Sequence, residues 1–163
     1  MSKLACGRPL PNMATAPSKK SIKDWSTAIR DYVSTHGLRQ SSQRLSIAET
    51  IQKISGHFTI QDVVDRMHSH DGSIGAATVY RTIALLRDVG LLKETLVDEG
   101  GTTVFEVADE SHHDHIVCVD CGHIFEFHDD RIEKIQRELG LKLKFSEARH
   151  RHVIYSKCQY LER

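Results

Sequence analysis

The sequence predicts an α+β protein in two parts, an N-terminal winged helix-turn-helix domain followed by a small α/β domain. Three observations carry this prediction. Apolar residues recur at helical spacing in four segments before residue 90. Two β-rich runs joined by a Gly-Gly turn follow directly, and from His115 onward the pattern changes to short strands around one helix. The 163 residues divide into an N-terminal arm over 1–20, a winged-helix domain with its hinge over 21–107 and a second domain over 108–163. All three prolines fall in the arm, which has no continuous apolar stretch and reads as flexible chain and not as a secretory signal.

The first helix is expected from Ser21 to about His36, with Ile22, Trp25, Ile29 and Val33 on one face and Gly37 as its stop. A second fits Ser42 to Ile54, turning Leu45, Ala48, Ile51 and Ile54 inward before Ser55-Gly56. Thr59 caps a third over about Ile60 to His68, burying Val63, Val64 and Met67. The fourth starts near Ala76, sets Val79, Ile83, Leu86 and Val89 on one face and ends at Gly90. The hairpin then consists of Leu91 to Leu96 and Thr103 to Val107 around Gly100-Gly101.

Helices followed by such a hairpin form a winged helix, whose last helix can enter a DNA major groove while the wing touches the backbone. On the fourth helix Thr78, Tyr80, Arg81 and Thr82 avoid the predicted apolar face and suit base or phosphate contact. Charge agrees with this. The net charge is zero, but residues 1–93 hold 13 Lys/Arg against 7 Asp/Glu, and the remainder holds 9 against 15. Lys19, Lys20 and Lys23 would add attraction to phosphate independent of sequence.

In the second half, strands are expected at Ile116 to Val119, Ile124 to Phe127 and Arg151 to Ser156, with a helix over Asp129 to Leu139 whose Ile132, Ile135 and Leu139 face the sheet. A small sheet with one helix cannot cover both its faces, so this is expected to be an α/β dimerisation domain.

The densest chemistry is SHHDHIVCVDCGHIFEFHDD, residues 111–130. If HHDH is extended, His112 and Asp114 point to one side and His113 and His115 to the other, so one segment can feed two metal sites. Each needs partners from elsewhere, and His57, Glu106, Glu126, Glu133 and His150 are available. Imidazole with carboxylate suits divalent iron, manganese, cobalt, nickel or zinc. Cys118-x-x-Cys121-Gly resembles a zinc knuckle, which requires two further ligands. Cys158 is the remaining cysteine of this half and Cys6 lies in the arm, so a three-cysteine site completed by histidine or water competes with a knuckle that binds nothing.

GAATVYRTIALLRDVGLL, GGTTVFEV, HHDHIVCVDCGHIFEF and IEKIQRELG together resemble the ferric uptake regulator family over about residues 25–158. The resemblance implies a homodimer. It implies a regulatory metal site of His57, Glu106, His113 and His115 with Glu126 nearby, and a second site of His112, Asp114, Glu133 and His150. Family members commonly close a four-cysteine zinc site with a C-terminal cysteine pair, of which this chain keeps only Cys158.

The expectation is a metal-responsive repressor that is no enzyme and controls metal-uptake genes, with Fe2+ or Mn2+ at the regulatory site and Zn2+ at one or more sites. Glu126, and the lack of cysteine in Thr102 to Val107, favour iron over the peroxide- and zinc-responsive branches of the family. Its partner would be a double-stranded operator with an inverted repeat. A metal-buffering protein would bind ions without reading DNA, and a metal-dependent hydrolase would need an open coordination position and a placed base. No HExxH helix, nucleophile motif or phosphate loop is present, and no run approaches the roughly eighteen apolar residues of a membrane span, so a cytoplasmic location is expected.

Overall fold

Asp24 begins the first helix. Its carboxylate accepts from the Ser26 backbone N–H at 3.0 Å, from the Ser26 hydroxyl at 2.7 Å and from the Thr27 hydroxyl at 2.6 Å. Because this N-cap is itself outside the helix, α1 runs Trp25–Thr35, and the expected start at Ser21 is corrected to Trp25. Trp25, Ile29 and Val33 are buried as their spacing requires. The computed structural model describes residues 24–70, 72–98, 100–108, 112–146 and 150–157. The N-terminal arm, Ile22, Lys19, Lys20, Lys23 and Cys158 lie outside the described residues.

The described residues fall into two units, 24–108 and 112–157. The first holds α1, α2 (Ser42–Gln52), β1 (Phe58–Thr59), α3 (Ile60–His70), α4 (Ala76–Asp88), β2 (Leu92–Val97) and β3 (Thr103–Val107). Gly37 and Gly90 follow α1 and α4 at φ +62° and +78°, which lets Leu38 N–H reach Val33 O and Leu91 N–H reach Leu86 O. A side chain at either position would be strained, so glycine is what ends these helices. Thr59 caps α3 through a reciprocal box, because Asp62 Oδ2 accepts from the Thr59 N–H at 2.7 Å and Thr59 Oγ1 accepts from the Asp62 N–H at 3.2 Å.

The core of this unit joins Ile29, Val33, Ile47, Ile51, Val63, Met67, Val79, Ile83 and Leu86. In α2 the buried residues are Ile47, Ala48 and Ile51, and Leu45, expected inward, is only half-buried. The wing is a three-stranded antiparallel sheet in the order β1-β3-β2, with a bulge between Glu94 and Leu96. Asp98 shapes its turn by accepting from Gly100 N–H and Thr102 N–H at 2.9 and 2.8 Å. The two-residue β1 was not foreseen. Its pairing of Phe58 with Phe105 sets the base of the wing against α3.

The second unit is a sheet in the order β5-β4-β6 with one helix. Its elements are β4 (Asp114–Cys118), β5 (Ile124–Phe127), α5 (Asp130–Lys142) and β6 (Val153–Ser156). β4 is central, antiparallel to β5 and parallel to β6. The expectation that Ile135 and Leu139 face this sheet is overturned, since they are 63% and 54% exposed. Instead α5 turns Ile132, Glu133 and Gln136 partly inward, and Ile135 and Leu139, three and seven residues after Ile132, lie at the edge of that face and stay uncovered. Among the described residues no helix is long and apolar enough to cross a membrane.

Candidate metal centre

The alternation expected for HHDH is present. Central strand β4 starts at Asp114, whose side chain is only 1% exposed, and His112 lies on the same side, its Nε2 3.5 Å from Asp114 Oδ1. His113 and His115 form a separate pair with ring centroids 4.9 Å apart. Around Asp114 the sheet gathers His150, which leads into β6, and α5 contributes Glu133 from its first turn. Donor atoms of His112, Asp114, Glu133 and His150 all lie within 4.8 Å of one another. Glu133 Oε1 sits 3.2 Å from His112 Nε2 and 3.3 Å from His150 Nε2, and the two Nε2 atoms approach to 2.6 Å.

This set fits a divalent cation on chemical grounds. Both Asp114 oxygens and Glu133 Oε1 are buried and have no hydrogen-bond partner among the described residues. Buried carboxylate oxygens lacking donors are costly, and a cation among them removes that cost. Two imidazoles and two carboxylates form a borderline-hard set suited to zinc, iron or manganese.

The other predicted ligands fall into two groups, each described within its own unit. His57 precedes β1 and Glu106 lies in β3, and antiparallel pairing of these strands brings His57 Nε2 to 3.4 Å from Glu106 Oε2. Both side chains are nearly covered, at 10% and 11% exposure. In the second unit His115 of β4 stands opposite Glu126 of β5 in register, beside His113.

Cys118 ends β4 and is buried, and Cys121 lies half-buried in the turn that follows. That turn is closed by Gly122 N–H on Cys118 O at 2.7 Å and Cys118 N–H on His123 O at 2.9 Å. The third cysteine expected there, Cys158, is outside the described residues. On α4, Tyr80 and Arg81 are exposed and Thr78 is half-buried. Thr82 is corrected. It is 2% exposed and its hydroxyl donates to Thr78 O at 2.8 Å, so it packs with the core and cannot reach DNA.

His152 is a neighbour of the site that sequence reasoning missed, with Nδ1 3.6 Å from Asp114 Oδ2. The signal was there in His150-x-His152 at the start of a predicted strand, since residues two apart share a face.

The sequence profile of the ferric uptake regulator family matches residues 35–155. The chain belongs to the ferric uptake regulator family. Within this family, the ferric uptake regulation protein of Vibrio parahaemolyticus is 38% identical over 123 residues, which are 75% of this chain and 82% of that protein. The crystal structure of the Vibrio cholerae ferric uptake regulator, described as revealing structural rearrangement of its DNA-binding domains, is 35% identical. It matches with a TM-score of 0.70 over 83% of this chain and 100% of its own. The Pseudomonas aeruginosa ferric uptake regulator with manganese is 32% identical, with a TM-score of 0.65 over 80% of this chain and 97% of its own. Family and fold class therefore agree with the expectation from sequence.

Proposed function

We propose that this chain is a metal-responsive transcriptional repressor that acts in the cytoplasm as a homodimer on an inverted-repeat operator, with ferrous iron or manganese as its signal. The observation that carries this reading is the gathering of His112, Asp114, Glu133 and His150 in a chain that also has a winged helix with Tyr80 and Arg81 exposed on α4. Neither a buffer nor a hydrolase accounts for both features.

The regulatory ligands would be His57, Glu106, His113, His115 and Glu126. Because His57 and Glu106 belong to one unit and His113, His115 and Glu126 to the other, a divalent ion held by them would tie residues of both units and so would bias the angle of the DNA-reading helices. The residues have matching preparations. His57 and Glu106 already face each other at 3.4 Å across the base of the wing, and His113 and His115 share a face beside Glu126. A preference for the DNA-competent state of a few kcal/mol is enough to switch operator occupancy. His112, Asp114, Glu133 and His150 would hold a second ion within the dimerisation unit and support its structure. Zinc suits that set, and it suits Cys118 and Cys121 if Cys158 or a histidine completes them.

DNA contact would come from Arg81 and Tyr80, with Thr78 at the edge of the same face and Lys19, Lys20 and Lys23 contributing phosphate attraction. The manganese in the Pseudomonas aeruginosa relative supports an ion of this class, and cellular availability would choose between iron and manganese.

The test is an electrophoretic mobility shift on operator DNA with iron(II), with manganese(II) and with a chelator, using wild type and Arg81→Ala. Metal-dependent retardation that Arg81→Ala weakens about tenfold or more, with metal content and oligomeric state unchanged, is the expected result. Retardation equal in all arms, or absent in all, would refute the proposed function.

A further inference from the structure

Asp114 is a buried carboxylate with imidazole nitrogen on both of its oxygens. Oδ1 faces His112 Nε2 at 3.5 Å and His150 Nε2 at 3.7 Å, inside the proposed second metal site. Oδ2 faces His152 Nδ1 at 3.6 Å, an imidazole outside the group whose donors converge within 4.8 Å. Asp114 Oδ2 and His152 Nδ1 are both buried, and neither has a hydrogen-bond partner among the described residues. Two such atoms aimed at each other need approach by only about 0.5 Å to form an ordinary N–H···O bond.

The surroundings fix the ring that would make it. His115 N–H donates to His152 O at 3.1 Å, which ties the start of β6 to the strand bearing Asp114. The His152 ring meets Phe127 edge to face, with centroids 6.1 Å apart at 73°, and Phe127 stands opposite Asp114 in the β4–β5 register. Its side chain is 36% exposed, so Nε2 can keep contact with water while Nδ1 stays inside.

We propose that His152 is a positioning residue for the second metal site. Its Nδ1–H donates to Asp114 Oδ2, which holds Oδ1 towards His112, His150 and Glu133. A carboxylate ligand whose outer oxygen is bonded in this way loses less freedom when the ion binds, and losing such an outer partner typically weakens metal affinity about 10- to 100-fold. This inference rests on the second-site reading given above.

The test is a zinc titration of the full chain against a chromophoric chelator, for wild type, His152→Leu, His152→Asn and Asp114→Ala. It is joined by 15N-detected assignment of the His152 tautomer. We expect His152→Leu to lower second-site zinc affinity about 10- to 100-fold and His152→Asn, whose amide can donate from the place of Nδ1, to retain most of it. Wild-type His152 should carry its proton on Nδ1. If Asp114→Ala loses the site and His152→Leu binds like wild type, the positioning role is wrong and the second site stands. If Asp114→Ala also binds like wild type, the site itself is wrong. A 15N shift of metal ligation at His152 would make it a ligand and overturn the proposal. Should His152→Leu fail to fold, the wild-type tautomer decides, because a proton on Nε2 alone leaves Nδ1 unable to donate.

Discussion

The Asp24 carboxylate shows how much one short side chain can organise. Its pKa is lowered from the ordinary 3.8 to about 2, first by the Thr27 hydroxyl and then by Ser26, whose hydrogen bonds favour the ionised form. A group depressed on folding contributes stability above its unfolded pKa and loses it as pH falls through the folded value. The cap on α1 should therefore hold from neutral pH to below 3.8 and fail towards about 2. Asp24→Ala should melt earlier than wild type at neutral pH, and the two melting curves should converge as pH approaches 2. Trp25, the chain's single tryptophan and the residue next to this cap, gives a local fluorescence signal for the comparison. A gap in melting temperature that persists at pH 2 would count against the assignment. At α5 the Arg131 guanidinium likewise holds the Asp129 carboxyl well below the usual carboxylate range.

At the scale of elements, packing and capping differ in size. Ile83 on α4 is 1% exposed and lies in the main core, so Ile83→Ala removes packed volume and should cost about 2–5 kcal/mol. Thr59→Ala removes half of the α3 capping box and should cost about 1 kcal/mol. Urea denaturation of both would reverse this ranking only if α4 were peripheral to the core. α5 makes a different prediction. It has no buried residue and exposes Ile135, Leu139 and Leu141, and the turn that follows it exposes Leu143 and Phe145, an apolar set of the kind that marks an association surface. Ile135→Glu should shift the proposed dimer to monomer in sedimentation analysis, with little loss of secondary structure because the position is 63% exposed in the subunit. An unchanged dimer would exclude this face from the interface.

For the whole molecule, the proposed function has the two faces of HHDH separate response from support. His113→Ala should abolish metal-dependent DNA binding while leaving the dimer intact, because it removes a proposed regulatory ligand. Asp114→Ala should reduce metal content or dimer stability more than the metal response, since its partners Glu133 and His150 belong to the same unit. Metal titrations of DNA binding for the two variants side by side would reverse the assignment if Asp114→Ala alone lost the response.

The four helices, the hairpin, the strands of the second half and the split of HHDH between two faces were legible in the sequence, because each follows from a local rule. Apolar period, a glycine stop or strand alternation acts within a few residues. Other features depended on contacts between distant segments. A two-residue strand has too little pattern to declare itself, so β1 emerged only from its pairing with β3, which supplies the contact of His57 with Glu106 that the family resemblance implied. Thr82 lay off the predicted apolar face, yet α4 is covered broadly enough to bury it. Ile135 and Leu139 have helical spacing, but spacing does not say against what a face packs, and in the subunit α5 leaves them exposed while Glu133 meets His112 and His150. His152 was readable as a strand neighbour of His150, while its approach to Asp114 required the parallel register of β4 and β6. Local periodicity therefore determined which elements form and which residues share a face, and tertiary pairing decided which faces meet, since that depends on atoms far apart along the chain.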